Sequence, residues 1–182
     1  MSEKTFIEFD KVIEECRTIF IKKMKDYGTA WRILRTSSLT DQIYIKAARI
    51  RSIQEKGETK VGEGIKPEFI GIINYSIMAL IQLELGTAEE PRMPEAEVER
   101  LYTKYYHGAR SLMSDKNHDY DEAWRNMRVS SITDIILMKL LRIKQIENND
   151  GKTIISEGLD ANYFDIVNYS LFAIILLNER GN

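Results

Sequence analysis

Asp26-Tyr27-Gly28-Thr29-Ala30-Trp31-Arg32-Ile33-Leu34-Arg35 returns 93 residues downstream as Asp119-Tyr120-Asp121-Glu122-Ala123-Trp124-Arg125-Asn126-Met127-Arg128. In that register Asp26 to Ile53 agrees with Asp119 to Ile146 at 15 of 28 positions. After a one-residue insertion, Gly57 to Leu83 agrees with Gly151 to Leu177 at 11 of 27. Shared helix composition does not produce agreement of that density. The chain is a tandem duplication, and each copy serves as an alignment for the other.

Working outward from the repeat, the pattern is helical almost throughout. Only 10 Gly and 3 Pro interrupt 182 residues, and apolar side chains recur three and four apart with no convincing period of two. Phe6, Phe9, Val12, Ile13, Cys16, Ile19 and Phe20 make one apolar stripe, which predicts a first helix over residues 5–26 and its copy over 95–118. Ser38-Leu39-Thr40-Asp41 and Ser131-Ile132-Thr133-Asp134 have the form of a capping box and predict the start of each second helix. Gly57 and Gly151 mark the ends of those helices. Pro67 predicts the first turn of a third helix that is apolar on nearly every side, the pattern of a central helix.

Residues 87–94 form a short linker containing two of the three prolines, between a first repeat over 1–86 and a second over 95–182. A connection that short lets the units pack directly. The expected fold is all-α: two three-helix repeats in one bundle, their third helices (68–85 and 162–178) meeting at a pseudo-twofold axis.

Composition narrows the function. With 26 basic and 28 acidic residues the chain has no cationic field for bulk nucleic-acid binding. A single cysteine excludes an intrachain disulfide, and the only two histidines fall in one copy, so histidine ligation is not part of the duplicated design. The N-terminal residues lack a signal-like apolar run, and no uninterrupted apolar stretch suits a membrane, so the expected location is cytoplasmic. No phosphate-binding glycine loop, HExxH zinc motif or nucleophile elbow occurs.

The duplicated polar residues are the candidates for chemistry. Lys46 and Arg49, with Lys139 and Arg142, stand three apart on one helix face, a spacing that suits either a phosphate clamp or a solvated ion-paired face. Asp26-Tyr27 and Asp119-Tyr120 end the first helices, where an acid opposes the helix dipole. That placement marks either an Asp turn or a catalytic acid. Trp31 and Arg35, with Trp124 and Arg128, add aromatic faces and cations that can stack a base and grip its phosphates, or that can be core. Asn74-Tyr75 and Asn168-Tyr169 lie mid-helix. Buried amides there need partners, and a mutual pairing across the pseudo-twofold is the simplest arrangement. Glu63, Glu68, Glu157 and Asp165, with the Asn carboxamides, are hard oxygen donors that suit Mg²⁺. The copies are unequal in these, since Asp165 aligns with Gly71 and Glu68 with Asn162.

The segments Lys25-Asp26-Tyr27-Gly28, Lys46-x-x-Arg49, and Glu63 followed by Asn74-Tyr75 resemble the first nucleotide modification associated domain family, in both copies. Its pattern has K-x-x-D-Y-G closing helix one, K-x-x-R on helix two and E-S-x-x-D-x-x-x-D-x-x-N-Y opening helix three. The middle acid of the third motif falls at Pro67 and Ala161, and the last survives only as Asp165. More distantly the layout is similar to the all-α NTP pyrophosphohydrolases of the MazG and dimeric dUTPase type, although their paired acidic motifs are missing at Glu14-Arg17 and Glu15-Thr18. These resemblances imply a nucleotide or other small phosphorylated ligand. They do not establish catalysis; the leading expectation, built on the polar candidates, extends to a Mg²⁺-dependent nucleoside triphosphate pyrophosphohydrolase with Glu63, Glu157 and Asp165 on the metal and Asp26 or Asp119 serving the attacking water. The alternative is a non-catalytic binding or assembly module associated with nucleotide or nucleic-acid modification, and a homo-oligomer is left open.

Overall fold

The computed structural model describes residues 2–57 and 64–180. Each copy supplies three long helices: α1 (Glu3–Tyr27), α2 (Thr36–Lys56) and α3 (Lys66–Leu85), then α4 (Glu95–Tyr120), α5 (Val129–Asn148) and α6 (Leu159–Arg180). A single 3₁₀ turn, Ala30–Ile33 or Ala123–Asn126, follows the first helix of each copy, and no strand occurs among the described residues.

α3 packs on α6, α2 on α5, and each second helix on the third helix of its own copy. The third helices are the reason. α3 buries Phe69, Ile72, Ile73, Ile77 and Ile81 completely, and α6 does the same with Tyr163, Ile166, Val167, Leu171 and Ile174. Such all-round apolarity is satisfied only when both copies contribute cover. Accordingly α1 lies against α6 as well as α3, and α4 against α3 as well as α6. α3 is also long and apolar enough to cross a membrane by length and composition alone, but two-thirds of that stretch is buried inside the bundle.

The sequence boundaries hold to within a few residues, with one difference of mechanism. The second helices do not open on a capping box: α2 starts at Thr36 after Arg35 and α5 at Val129 after Arg128, both without a side-chain cap. The box threonines bond elsewhere. Thr40 and Thr133 donate back to the carbonyls of Thr36 and Val129 at 3.1 Å, and both face the opposite copy. Thr40 meets Glu147 at 2.7 Å and the Tyr163 hydroxyl at 2.5 Å, while Gln54 donates to Thr133 at 3.1 Å. Since Gln54 and Glu147 are repeat equivalents, these bonds form one pseudo-twofold pair across the α2–α5 contact.

Gly57 caps α2 as expected, whereas α5 ends at Asn148 with Asn149 as its cap, and Gly151 lies in the turn that follows. Gly57 adopts φ 71° and returns its N–H to Ile53, and Gly151 adopts φ 76° with its N–H on Ile146. The linker is pinned to the first copy: Arg32 donates to the Gly86 carbonyl at 2.8 Å, Ala88 donates to the Arg32 carbonyl at 2.8 Å, and Thr29 donates to the Pro91 carbonyl. Arg32 is a buried structural residue.

Burial pushes the Glu147 carboxyl above its usual range, against the lowering effect of Thr40 and Tyr163. A raised carboxyl pKa means that the charged form costs stability above it, and that the cost vanishes as pH falls below it. Glu147→Gln copies the amide of the first half and keeps the Thr40 contact. Thermal melts should show a higher Tm for this variant at pH 7, with the gain narrowing as the pH approaches 4.

Candidate functional site

Two adjoining cavities open on the first copy. Lys23 comes from the last turns of α1, Lys46 from the middle of α2, and Gly71, Asn74 and Tyr75 from α3. With Lys66 they line a cavity of about 330 Å³. Beside it, a more apolar cavity of about 410 Å³ shares Lys23, Tyr75 and Met78 and is walled by Tyr27 and Trp31. The Lys46 ammonium stands 5.7 Å from the centre of the Tyr75 ring, so the cationic and aromatic parts meet at that residue.

Charge in the first cavity is incompletely answered. Lys66 pairs with Glu15 at 3.1 Å. Glu68 is held by Arg49 at 2.5 Å and reaches Lys46 only at 3.4 Å. Lys23 has no acidic partner among the described residues. Gly71 is what leaves the space: a Cβ there would lie 2.8 Å from Lys46 Cε, so the lysine stem runs directly over the missing side chain.

The second copy has the same frame with the space filled. Asp165 stands where Gly71 does, and its two oxygens take Lys116 and Lys139 at 2.6 Å each. The carboxylate is 5% exposed. Burial works against the charge of Lys116, yet its bond to Asp165 holds its pKa above the usual lysine range. The aromatic side is closed by a second exchange. Phe172 replaces Met78 and stacks on Trp124 with centroids 4.2 Å apart and planes 6° from parallel, leaving Trp124 6% exposed while Trp31 is only half-buried.

Lys23 and Lys116 were not singled out from sequence, because they precede the aligned block by three residues. The signal was the K of K-x-x-D-Y-G, present in both copies. The other candidates divide. Tyr27, Trp31, Lys46 and Asn74 line the two cavities, whereas Arg49 is turned to Glu68. Asp26 is exposed at the end of α1 and is not among the lining residues, and Asp119 is exposed beside His118 at 3.3 Å. Tyr120 is also exposed, and Arg35 and Arg128 are exposed at the starts of α2 and α5. Arg142 and Glu157 line a groove of about 610 Å³ with Lys139, and Asp165 is not among its lining residues.

The asparagines do not pair with one another. Asn74 donates to the Cys16 carbonyl at 3.1 Å and Asn168 to the equivalent Ala109 carbonyl at 3.0 Å, each bracing its own first helix. Tyr102 of α4 donates to the Asn74 oxygen at 2.8 Å. Its equivalent is Phe9, and the Asn168 oxygen is left without a partner.

The carboxylates expected to hold Mg²⁺ are poor ligands as placed. Glu68 carries a guanidinium and an ammonium, Asp165 carries two ammoniums, and the two acids belong to different copies. Glu157 is exposed in the α5–α6 loop, and Glu63 lies outside the described residues. No group of three or more Asp, Glu, His or Cys gathers among the described residues. The donors described do not fit a magnesium centre.

Residues 23–83 and 116–177 each match the family model of Nucleotide modification associated domain 1. The chain belongs to this family, in two tandem copies. No curated protein and no solved structure matches it. The matched segments begin at Lys23 and Lys116, so the family region takes in both lysines of the site.

Breaking the buried pair should separate the copies energetically. Lys139→Met leaves Asp165 with Lys116 alone and should cost about 2 kcal/mol, lowering Tm by roughly 4–8 °C. Lys46→Met leaves Glu68 on Arg49 and should cost about 1 kcal/mol or less. Equal losses in parallel melts would contradict the asymmetry.

Proposed function

We propose that the protein binds a nucleotide at the first-copy cleft, with the phosphate between Lys23 and Lys46 and the base in the aromatic cavity beside Tyr75 and Trp31. One observation carries the reading: the second copy places its own carboxylate, Asp165, between the equivalent lysines, whereas the first copy has glycine there. Asp165 answers both second-copy lysines, whereas in the first copy Lys23 has no acidic partner among the described residues and Lys46 reaches Glu68 only at 3.4 Å.

The chemistry of the cleft supports a nucleotide over a plain anion. Two ammonium groups supply charge for phosphate oxygens, and the neighbouring wall of Tyr27, Trp31, Tyr75 and Met78 supplies flat apolar surface for a base. The family description, Nucleotide modification associated domain 1, points the same way. The reading is one of binding. Asp26 stands outside the cavities, Glu68 and Asp165 are engaged by cations and Glu157 is exposed in a loop, so magnesium-dependent hydrolysis finds no support in their placement.

Thermal shift against a panel of nucleotides, with and without Mg²⁺, tests this directly. A nucleotide at about 100 times its dissociation constant should add roughly 2.7 kcal/mol, a Tm rise of about 5–10 °C, and the rise should not require Mg²⁺. Gly71→Asp should abolish the shift, because the new carboxylate takes the two lysines as Asp165 does. A folded Gly71→Asp protein that still responds in full, or a wild-type chain that responds to no nucleotide, would refute the assignment.

A further inference from the structure

Resting on the nucleotide reading above, the charge inventory of the cleft narrows the ligand: we infer that it takes a nucleoside monophosphate in preference to a triphosphate. Three cations line the cationic cavity, Lys23, Lys46 and Lys66, against one lining acid, Glu15. Lys66 is answered by Glu15 at 3.1 Å, and Glu68 sits closer to Arg49 than to Lys46, which it reaches at 3.4 Å, so the unanswered charge is that of Lys23 and the incompletely neutralised Lys46. A phosphate monoester carries about 1.5 to 2 negative charges near neutral pH and matches that excess.

Geometry sets the same limit. In the second copy one carboxylate satisfies both lysines, each oxygen taking one ammonium at 2.6 Å. A single phosphoryl group has the same two-oxygen bite on one central atom, and its third oxygen remains for solvent. Further phosphates would find the remaining nearby cations already engaged. Arg49 is on Glu68 at 2.5 Å, and Lys66 is on Glu15. Their added charge would meet those carboxylates instead, at a cleft whose acids form no metal-binding group among the described residues. Repulsion from Glu15 and Glu68 is therefore the selective element, and the lysines are the attractive one.

Calorimetric titration of the full chain in EDTA, with the mono- and triphosphate of one nucleoside, reads this out. The monophosphate should bind at least tenfold more tightly. Glu15→Gln releases Lys66, raises the net lining charge to three positives, and should narrow the preference at least threefold without loss of fold. A triphosphate that binds as tightly or more tightly overturns the monophosphate assignment and leaves the nucleotide reading standing. A preference unchanged by Glu15→Gln overturns the charge-matching argument. If neither ligand binds, the nucleotide reading itself fails.

Discussion

The structure depends on the mutual burial of two helices that are apolar on nearly every side. α3 and α6 each need cover that the other helices of one copy are too few to give, so the copies share a core in place of folding side by side. Once α3 lies on α6, the remaining placements follow from surface still exposed. The second helices meet each other through the Thr40 and Thr133 contacts, and the first helices lie across both third helices. Burial of this kind is non-directional and tolerant of exchange among apolar side chains of similar size. This is why Ala47-Ala48 and Leu140-Leu141 can occupy equivalent places.

Because the core holds the frame, the rim is free to diverge. Two exchanges at the ends of the same helix face, Gly71 for Asp165 and Met78 for Phe172, convert an open cleft into a closed one. Each supplies from within what a ligand would otherwise supply: a carboxylate for the lysines, and a flat ring for the tryptophan. The closed copy gains a buried ion pair and a stacked aromatic pair. The open copy retains an incompletely neutralised lysine pair, the local cost typical of a binding surface. An asymmetric duplication can thus divide labour, with one copy bracing the bundle and the other keeping the cleft.

Much of the fold was legible because it rests on periodicity and on the repeat itself. Helix positions, the glycine stop of α2 and the meeting of α3 with α6 all follow from patterns confined to a few turns of chain. What escaped prediction depended on which neighbour a side chain would meet. Thr40 looked like part of a cap, but its hydroxyl is drawn to Glu147, 107 residues away. Asn74 and Asn168 looked like a symmetric pair, but each bonds a first-helix carbonyl. The Gly71 and Asp165 exchange was visible as an inequality, and its chemical meaning changed with its surroundings. Among acids alone Asp165 reads as a metal ligand, while between Lys116 and Lys139 it is a counter-ion. The stacking of Phe172 on Trp124 had no signal in spacing, since it depends on how the 3₁₀ turn presents the indole.

The central claim is that the chain has one open cleft and one closed by its own side chains. Binding stoichiometry measures this most directly. Titration of the wild-type chain with a nucleotide that it binds should saturate at one ligand per chain, and the double variant Asp165→Gly, Phe172→Met should saturate at two. A wild-type stoichiometry of two, or a folded double variant that remains at one, would contradict the account.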